Sequence, residues 1–172
     1  LRKSATLTFS AEGGTWQDGT TSEKAVSGRF GASVNVPSVS RLGYIFDKWN
    51  IDYKTIPAAN DSVKAEWKKI TYTVRFDNNG GDGTMPEQVF KYDEEQKLRS
   101  SGFSKSGYEF DFWTTNSDGS GKQYEKSATV KNLTATDGEV IVLYPKWVLK
   151  YGYYLGNPTG GQSEGSDAVG AW

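Results

Sequence analysis

A seven-residue stretch occurs twice in this chain, as Gly43-Tyr44-Ile45-Phe46-Asp47-Lys48-Trp49 and as Gly107-Tyr108-Glu109-Phe110-Asp111-Phe112-Trp113. Each copy is a glycine, then aromatic residues at alternate positions, then tryptophan. A period of two places Tyr108, Phe110 and Phe112 on one face of a strand, with Glu109 and Asp111 on the other. Tyr44 and Phe46 take the same face in the first copy. Aromatic side chains bury more apolar area than any others, so this strand is predicted to centre the core of a small β domain. Two copies predict two such domains.

The rest of the chain repeats around this stretch. Ala5-Thr6-Leu7-Thr8-Phe9 alternates apolar and polar and stops at Ala11-Glu12-Gly13-Gly14. Its counterpart, Tyr72-Thr73-Val74-Arg75-Phe76, stops at Asn78-Asn79-Gly80-Gly81-Asp82-Gly83, the strongest turn signal present. Each copy closes on a strand carrying Trp: Val63-Lys64-Ala65-Glu66-Trp67, and residues 140–147 ending in Leu143-Tyr144-Pro145-Lys146-Trp147. The second closing strand is apolar on both faces, which predicts a central strand with neighbours on either side. Pro145 has no N–H, so pairing is predicted to weaken there. Between these strands lie weaker ones at Val34-Asn35-Val36-Pro37 and Gln88-Val89-Phe90-Lys91-Tyr92. Asp93, followed by Glu94 and Glu95, reads as the cap of a solvated helical segment of at most two turns. The spacing from aromatic-strand Trp to closing Trp is 18 positions in the first copy and 34 in the second, so the second carries 16 extra residues within 114–139. Long loops of this kind cost little entropy and often carry binding residues.

The 172 residues suffice for two small domains, divided at 1–69 and 70–149, with 150–172 read as a linker or the opening of a further segment. The linking residues Lys68-Lys69-Ile70 are too few to separate two domains by a domain's width. They predict a semi-rigid pair, aided weakly by net charges of +3 on residues 1–69 and −3 on residues 70–149. The overall formal charge of −1 argues against nucleic acid. There is no run of about 18 apolar residues to span a membrane. The opening Leu1-Arg2-Lys3-Ser4 has neither an initiator Met nor an apolar secretory stretch, which predicts a fragment or a processed chain. Cysteine and histidine are both absent. Disulfides, thiolate sites and the commonest general base are therefore excluded.

Several motifs have a functional reading beside a plain one. Asn116, Asp118 and Ser120 alternate as calcium ligands can, but the closing acidic ligands are missing and a polar hairpin turn fits better. Gly80-Gly81-Asp82-Gly83-Thr84 lacks the Lys-Ser or Lys-Thr of a phosphate loop. Nothing places two carboxylates in one cleft for glycoside cleavage. Trp16, Tyr53, Tyr151, Tyr153 and Tyr154 lie outside the repeated pattern and are the better candidates for exposed ligand contacts. No catalytic, cofactor or metal residue is assigned.

In their order and spacing, Phe76-Asp77-Asn78-Asn79-Gly80-Gly81, Gly107-Tyr108-Glu109-Phe110 with Trp113, and Leu143-Tyr144-Pro145-Lys146-Trp147 resemble the Listeria–Bacteroides repeat, also called the internalin B-type repeat. The second copy is similar over its whole length, including residues 83–86 and 117–121; the first resembles a shorter form. The resemblance covers about residues 4 to 149. It implies a mostly β, α+β fold: two tandem β-grasp-like (ubiquitin-like) domains, with the first and last strands of each parallel at the sheet centre. It also implies a non-enzymatic region of a secreted or cell-wall bacterial surface protein, without cofactor. Such a region serves as a stalk, spacer or adhesive module in a longer multi-repeat chain. The implied partner is a host or cell-surface protein or a glycan. The alternatives are a carbohydrate-binding module of an exported protein and an accessory domain of a secreted hydrolase. The family usually carries glycine just before the aromatic-strand Trp. Lys48 and Phe112 stand there instead, which predicts altered packing around Trp49 and Trp113.

Overall fold

The computed structural model describes residues 3–150, and every regular element among them is a β-strand. The candidates Tyr151, Tyr153 and Tyr154, and the tail read as a linker, lie outside the described residues except for Lys150. By internal contacts the chain forms two compact units. The first is Leu1–Tyr72 with Lys91–Glu94 and Lys131–Glu139; the second is Thr73–Phe90, Glu95–Val130 and Val140–Trp172.

In the first unit the strands are β1 (Ser4–Ser10), β2 (Thr15–Trp16), β3 (Lys24–Arg29), β4 (Val39–Ser40), β5 (Tyr44–Trp49) and β6 (Asp61–Lys69). The main sheet has the order β3-β1-β6-β5. Its first and last strands pair in parallel, from Leu7↔Asp61 to Ser10↔Lys64, while β3 and β5 flank them antiparallel. The alternation predicted for β1 holds, and Ala5, Leu7 and Phe9 are buried. They join Ala11, Trp16, Ile56 and Val63 in one core cluster.

The second unit is built on the greater part of β7 (Thr71–Phe76) and of β8 (Gln88–Lys91), with β9 (Gln96–Lys97), β10 (Tyr108–Thr114), β11 (Gln123–Tyr124), β12 (Thr129–Val130) and β13 (Val140–Leu149). Its sheet has the order β11-β10-β13-β7-β8. The strand that is apolar on both faces, β13, is central, parallel to β7 from Val140↔Thr73 to Leu143↔Phe76 and antiparallel to β10. The core holds Val74, Phe76, Phe90, Leu98, Phe103, Trp113, Val130 and Leu143.

Two expectations are corrected. Residues 93–98 form no helix: Asp93 has φ +60°, a left-handed value that a helix N-cap does not adopt, and Gln96 and Lys97 pair with Val130 and Thr129. The aromatic strand does not centre the core in the first unit. β5 ends its sheet, and Phe46 stays 36% exposed and Ile45 44%. The centre is instead held by β1 and β6, which have neighbours on both sides. The aromatic strand of each unit also carries a bulge, between Phe46 and Lys48 and between Phe110 and Trp113. One extra residue on the strand shifts the side-chain alternation. That is how Trp113 becomes fully buried although Phe112, its neighbour, was assigned to the inward face. In β10 the bulge lies opposite Lys146, beside the proline where weakened pairing was predicted.

Candidate interaction surface

The sequence reasoning missed a contact that both repeats make between their first turn and their closing tryptophan. In the first unit Gly14 N–H donates to Ala11 O (3.0 Å), and the Trp67 indole N–H donates to the same carbonyl (2.9 Å). In the second, Gly81 N–H donates to Asn78 O (2.9 Å), joined by the Trp147 indole N–H (3.1 Å). A glycine is needed because the indole occupies the room a side chain would take. A Cβ on Gly14 would lie 2.5 Å from Trp67 Cζ2, and one on Gly81 2.6 Å from Ser104 O and 2.7 Å from Trp147 Cζ2. The signal was legible as Gly-Gly early and Trp late in each copy, but nothing in the spacing pairs them.

This lock holds the closing Trp beside the aromatic strand and leaves part of both at the surface. Phe46 meets Trp67 edge-on at 5.7 Å. In the second unit Tyr108, Phe110 and Trp147 line an open groove of about 460 Å³, with Lys105, Lys150, Asp82 and Glu109 among its polar walls. A cation covers the tyrosine of each copy. The Arg41 guanidinium is 3.7 Å from the Tyr44 ring centre and Lys105 Nζ is 4.4 Å from that of Tyr108. Arg41-x-x-Tyr44 and Lys105-x-x-Tyr108 repeat the same spacing, a signal the alternation argument passed over.

In the first unit Tyr44 is engaged. Its hydroxyl donates to Asp93 Oδ2 at 2.6 Å, and its ring meets the Tyr92 ring edge-on at 5.9 Å. The Tyr92 ring lies against Gly43, where a Cβ would come within 2.2 Å of it. Tyr92 N–H donates to Ile70 O (3.1 Å), and Lys69 Nζ pairs with Glu94 Oε2 (2.9 Å). Asn132 fixes the turn: its Oδ1 accepts from Asp93 N–H (2.6 Å) and its Nδ2 donates to Asp93 Oδ1 (2.9 Å). The Tyr44 hydroxyl, then Asn132, holds the Asp93 carboxyl below the usual carboxylate range. Asp93 in turn raises the Tyr44 phenol, and Glu94 raises Lys69.

The other sequence candidates fall elsewhere. Trp16 is a correction: it is 2% exposed, stacked on Trp49 at 5.9 Å, with its indole N–H donating to Ser22 O. Tyr53 is half-buried and donates its hydroxyl to Asp61 Oδ2 at 2.6 Å. Asn116, Asp118 and Ser120 are brought together in the loop between β10 and β11. There Asp118 Oδ1 accepts from Ser120 N–H and Oγ–H, and Asn116 Nδ2 donates to Ser120 Oγ. These bonds close a turn upon itself. Among the described residues no three His, Cys, Asp or Glu side chains gather as a metal set. No helix among them is long and apolar enough to cross a membrane.

Comparison with known proteins adds a family and two relatives. The Listeria-Bacteroides repeat domain matches the chain twice, over residues 6–68 and 72–146. A protein of Evansella cellulosilytica described as a "Gly-rich membrane protein" is 30% identical over 129 residues, 64% of this chain and 14% of that protein. A second from the same organism, described as a "membrane protein", is 29% identical over 136 residues, 71% of this chain and 20% of that protein. The chain thus spans a fifth or less of the relatives it matches.

Proposed function

Since the chain belongs to the Listeria-Bacteroides repeat family, we propose that it is a non-enzymatic repeat region of a bacterial surface protein, serving as a spacer or adhesive stalk. The observation that carries this reading is the tandem match of one repeat over nearly all the described residues. The repeats are residues 1–69 and 70–149, each a β-grasp-like sheet whose first and last strands run parallel at the centre. The parallel pairs β1 with β6 and β7 with β13 support that assignment. The relatives' descriptions support a place in the cell envelope, and their greater length supports a place within a longer multi-repeat chain. The partner of an adhesive stalk would be a host or cell-surface protein or a glycan.

The test replaces residues 4–149, in the full-length surface protein, by an unrelated pair of β domains of equal length. A spacer role predicts that surface display and adhesion of the cells survive the exchange. Adhesion lost with display intact would assign binding to these repeats. A second reading, a carbohydrate-binding module, is favoured by the aromatic groove at Tyr108, Phe110 and Trp147. A glycan array decides it: retention of a sugar that Tyr108→Ala abolishes supports this reading, and an array without signal removes it.

A further inference from the structure

We propose that Asn79 is a modification site. Its side-chain amide is lost to attack by the Gly80 backbone nitrogen when the turn that carries it opens, and the loss releases the loop between β10 and β11. Asn79 is the one asparagine in the sequence followed by glycine. Gly80 is exposed, and a Cβ there would meet nothing nearer than Lys105 Nζ at 3.8 Å, so the peptide that must react stands clear of the fold. In the reaction the Gly80 nitrogen bonds to Asn79 Cγ. The Cγ–Nδ2 bond breaks, and ammonia leaves with the proton that the Gly80 nitrogen gives up, which closes a succinimide ring. Water then opens the ring at either carbonyl, leaving aspartate or an isoaspartate whose backbone runs through Cβ and Cγ. Water is the one co-reactant, and nothing is oxidised or reduced.

The folded turn holds this reaction back. Asn79 (φ +48°) and Gly80 (φ +82°) are both left-handed, and Gly81 N–H closes the turn on Asn78 O at 2.9 Å. Asn79 N–H donates to Asp77 Oδ1 at 2.7 Å. Asn79 Nδ2 donates to two carbonyls, Ser117 O at 2.8 Å and Pro145 O at 3.1 Å. Bringing Cγ onto the Gly80 nitrogen draws Nδ2 away from both. Ser117 belongs to the β10–β11 loop and Pro145 to β13, so one amide pins the turn to both. Only a double donor can do this. After conversion a carboxylate, which has no proton to give, would face two carbonyl oxygens. Two hydrogen bonds become repulsions, and the pin is lost for good. The added backbone atom of isoaspartate would fall in the turn whose Asn78 carbonyl accepts from the Trp147 indole, which loosens that contact as well.

The test keeps the full chain in mildly alkaline buffer beside a free peptide of residues 76–91. Trypsin releases the same residues from the chain by cutting after Arg75 and Lys91, and fragment masses locate the acid. Conversion is expected at residue 79 rather than 78, and at least about tenfold more slowly in the folded chain than in the peptide. Asp118→Ala removes the acceptor that closes the exposed turn beside Ser117. It should speed conversion in the folded chain about fivefold, the effect of losing one hydrogen bond, while hydrogen exchange of the β13 amides shows the sheet intact. Asn79→Asp, the product itself, should shift the amide resonances of Asp118 and Lys146, which follow the two released carbonyls. Equal rates in chain and peptide overturn the gate, and no conversion in either overturns the site. An Asp118→Ala rate equal to that of the natural chain removes Ser117 as a pin. Unmoved Asp118 and Lys146 resonances in Asn79→Asp overturn the release.

Discussion

Trp67 and Trp147 each donate to a carbonyl in the first turn of their repeat, and Gly14 and Gly81 leave room for the indoles. Gly81→Ala should therefore destabilise the second unit by about 1–3 kcal/mol, the usual cost of overpacking. Urea denaturation followed by Trp fluorescence measures it, and the double variant Gly81→Ala/Trp147→Phe should show less than the sum of the two losses, since they share the Gly81–Trp147 contact, while the approach to Ser104 O remains. Trp113 answers to a different mechanism. It is fully buried among Phe76, Phe103 and Phe110, with ring centres 4.7, 6.1 and 5.0 Å away. Trp113→Ala should cost about 3–5 kcal/mol and lower the midpoint of thermal unfolding sharply. An unchanged midpoint would place this indole at the surface. The burial of Trp113 was expected from the repeated stretch, but the parity was not. The bulge that turns Trp113 inward is a property of pairing with β13 and has no mark in the local alternation.

The turn of residues 91–94 illustrates how an element can be misread from its own residues. Asp93-Glu94-Glu95 has the composition of a helix start, yet Asp93 takes a left-handed φ. The reciprocal bonds with Asn132 and the Tyr44 hydroxyl, 39 and 49 positions away, favour that conformation. Local propensity yields here to three hydrogen bonds, two of them accepted by a carboxylate. The pH dependence follows in sign. The folded Asp93 lies below its ordinary value, so its contribution is present above about pH 4 and is lost as pH falls further. Tyr44 and Lys69 lie above theirs, so their contributions are present below about pH 10 and are lost as pH rises through the folded values. Asp93→Asn should flatten the acid limb of the stability profile and leave most of the alkaline decline from Lys69. Denaturant midpoints measured from pH 2 to pH 11 check both arms. An acid limb unchanged in the variant would mean that Asp93 is solvated rather than bonded.

In both sheets the central pair joins strands far apart in sequence, β1 with β6 and β7 with β13. Such pairing must close a long loop before it yields contacts, so each unit should fold on the millisecond-to-second scale. A chain ending at residue 139 lacks β13, the common neighbour of β10 and β7, and should lose the second sheet altogether by circular dichroism. The same loss is not expected on removing residues 151–172, which follow β13 in the sequence. The sequence by itself determined the strands with clear alternation, the glycine turns that end them, the tandem repetition and the central place of β13. These follow from local sterics and from a period that one strand displays alone. The tertiary structure alone decided that β5 sits at a sheet end, that the aromatic strands are bulged, that Trp16 is core and that Asp93 shapes a turn. Each of these depends on which distant backbone or side chain arrives at the position. A linear pattern states what a residue prefers, while its neighbour across the sheet decides which preference is met.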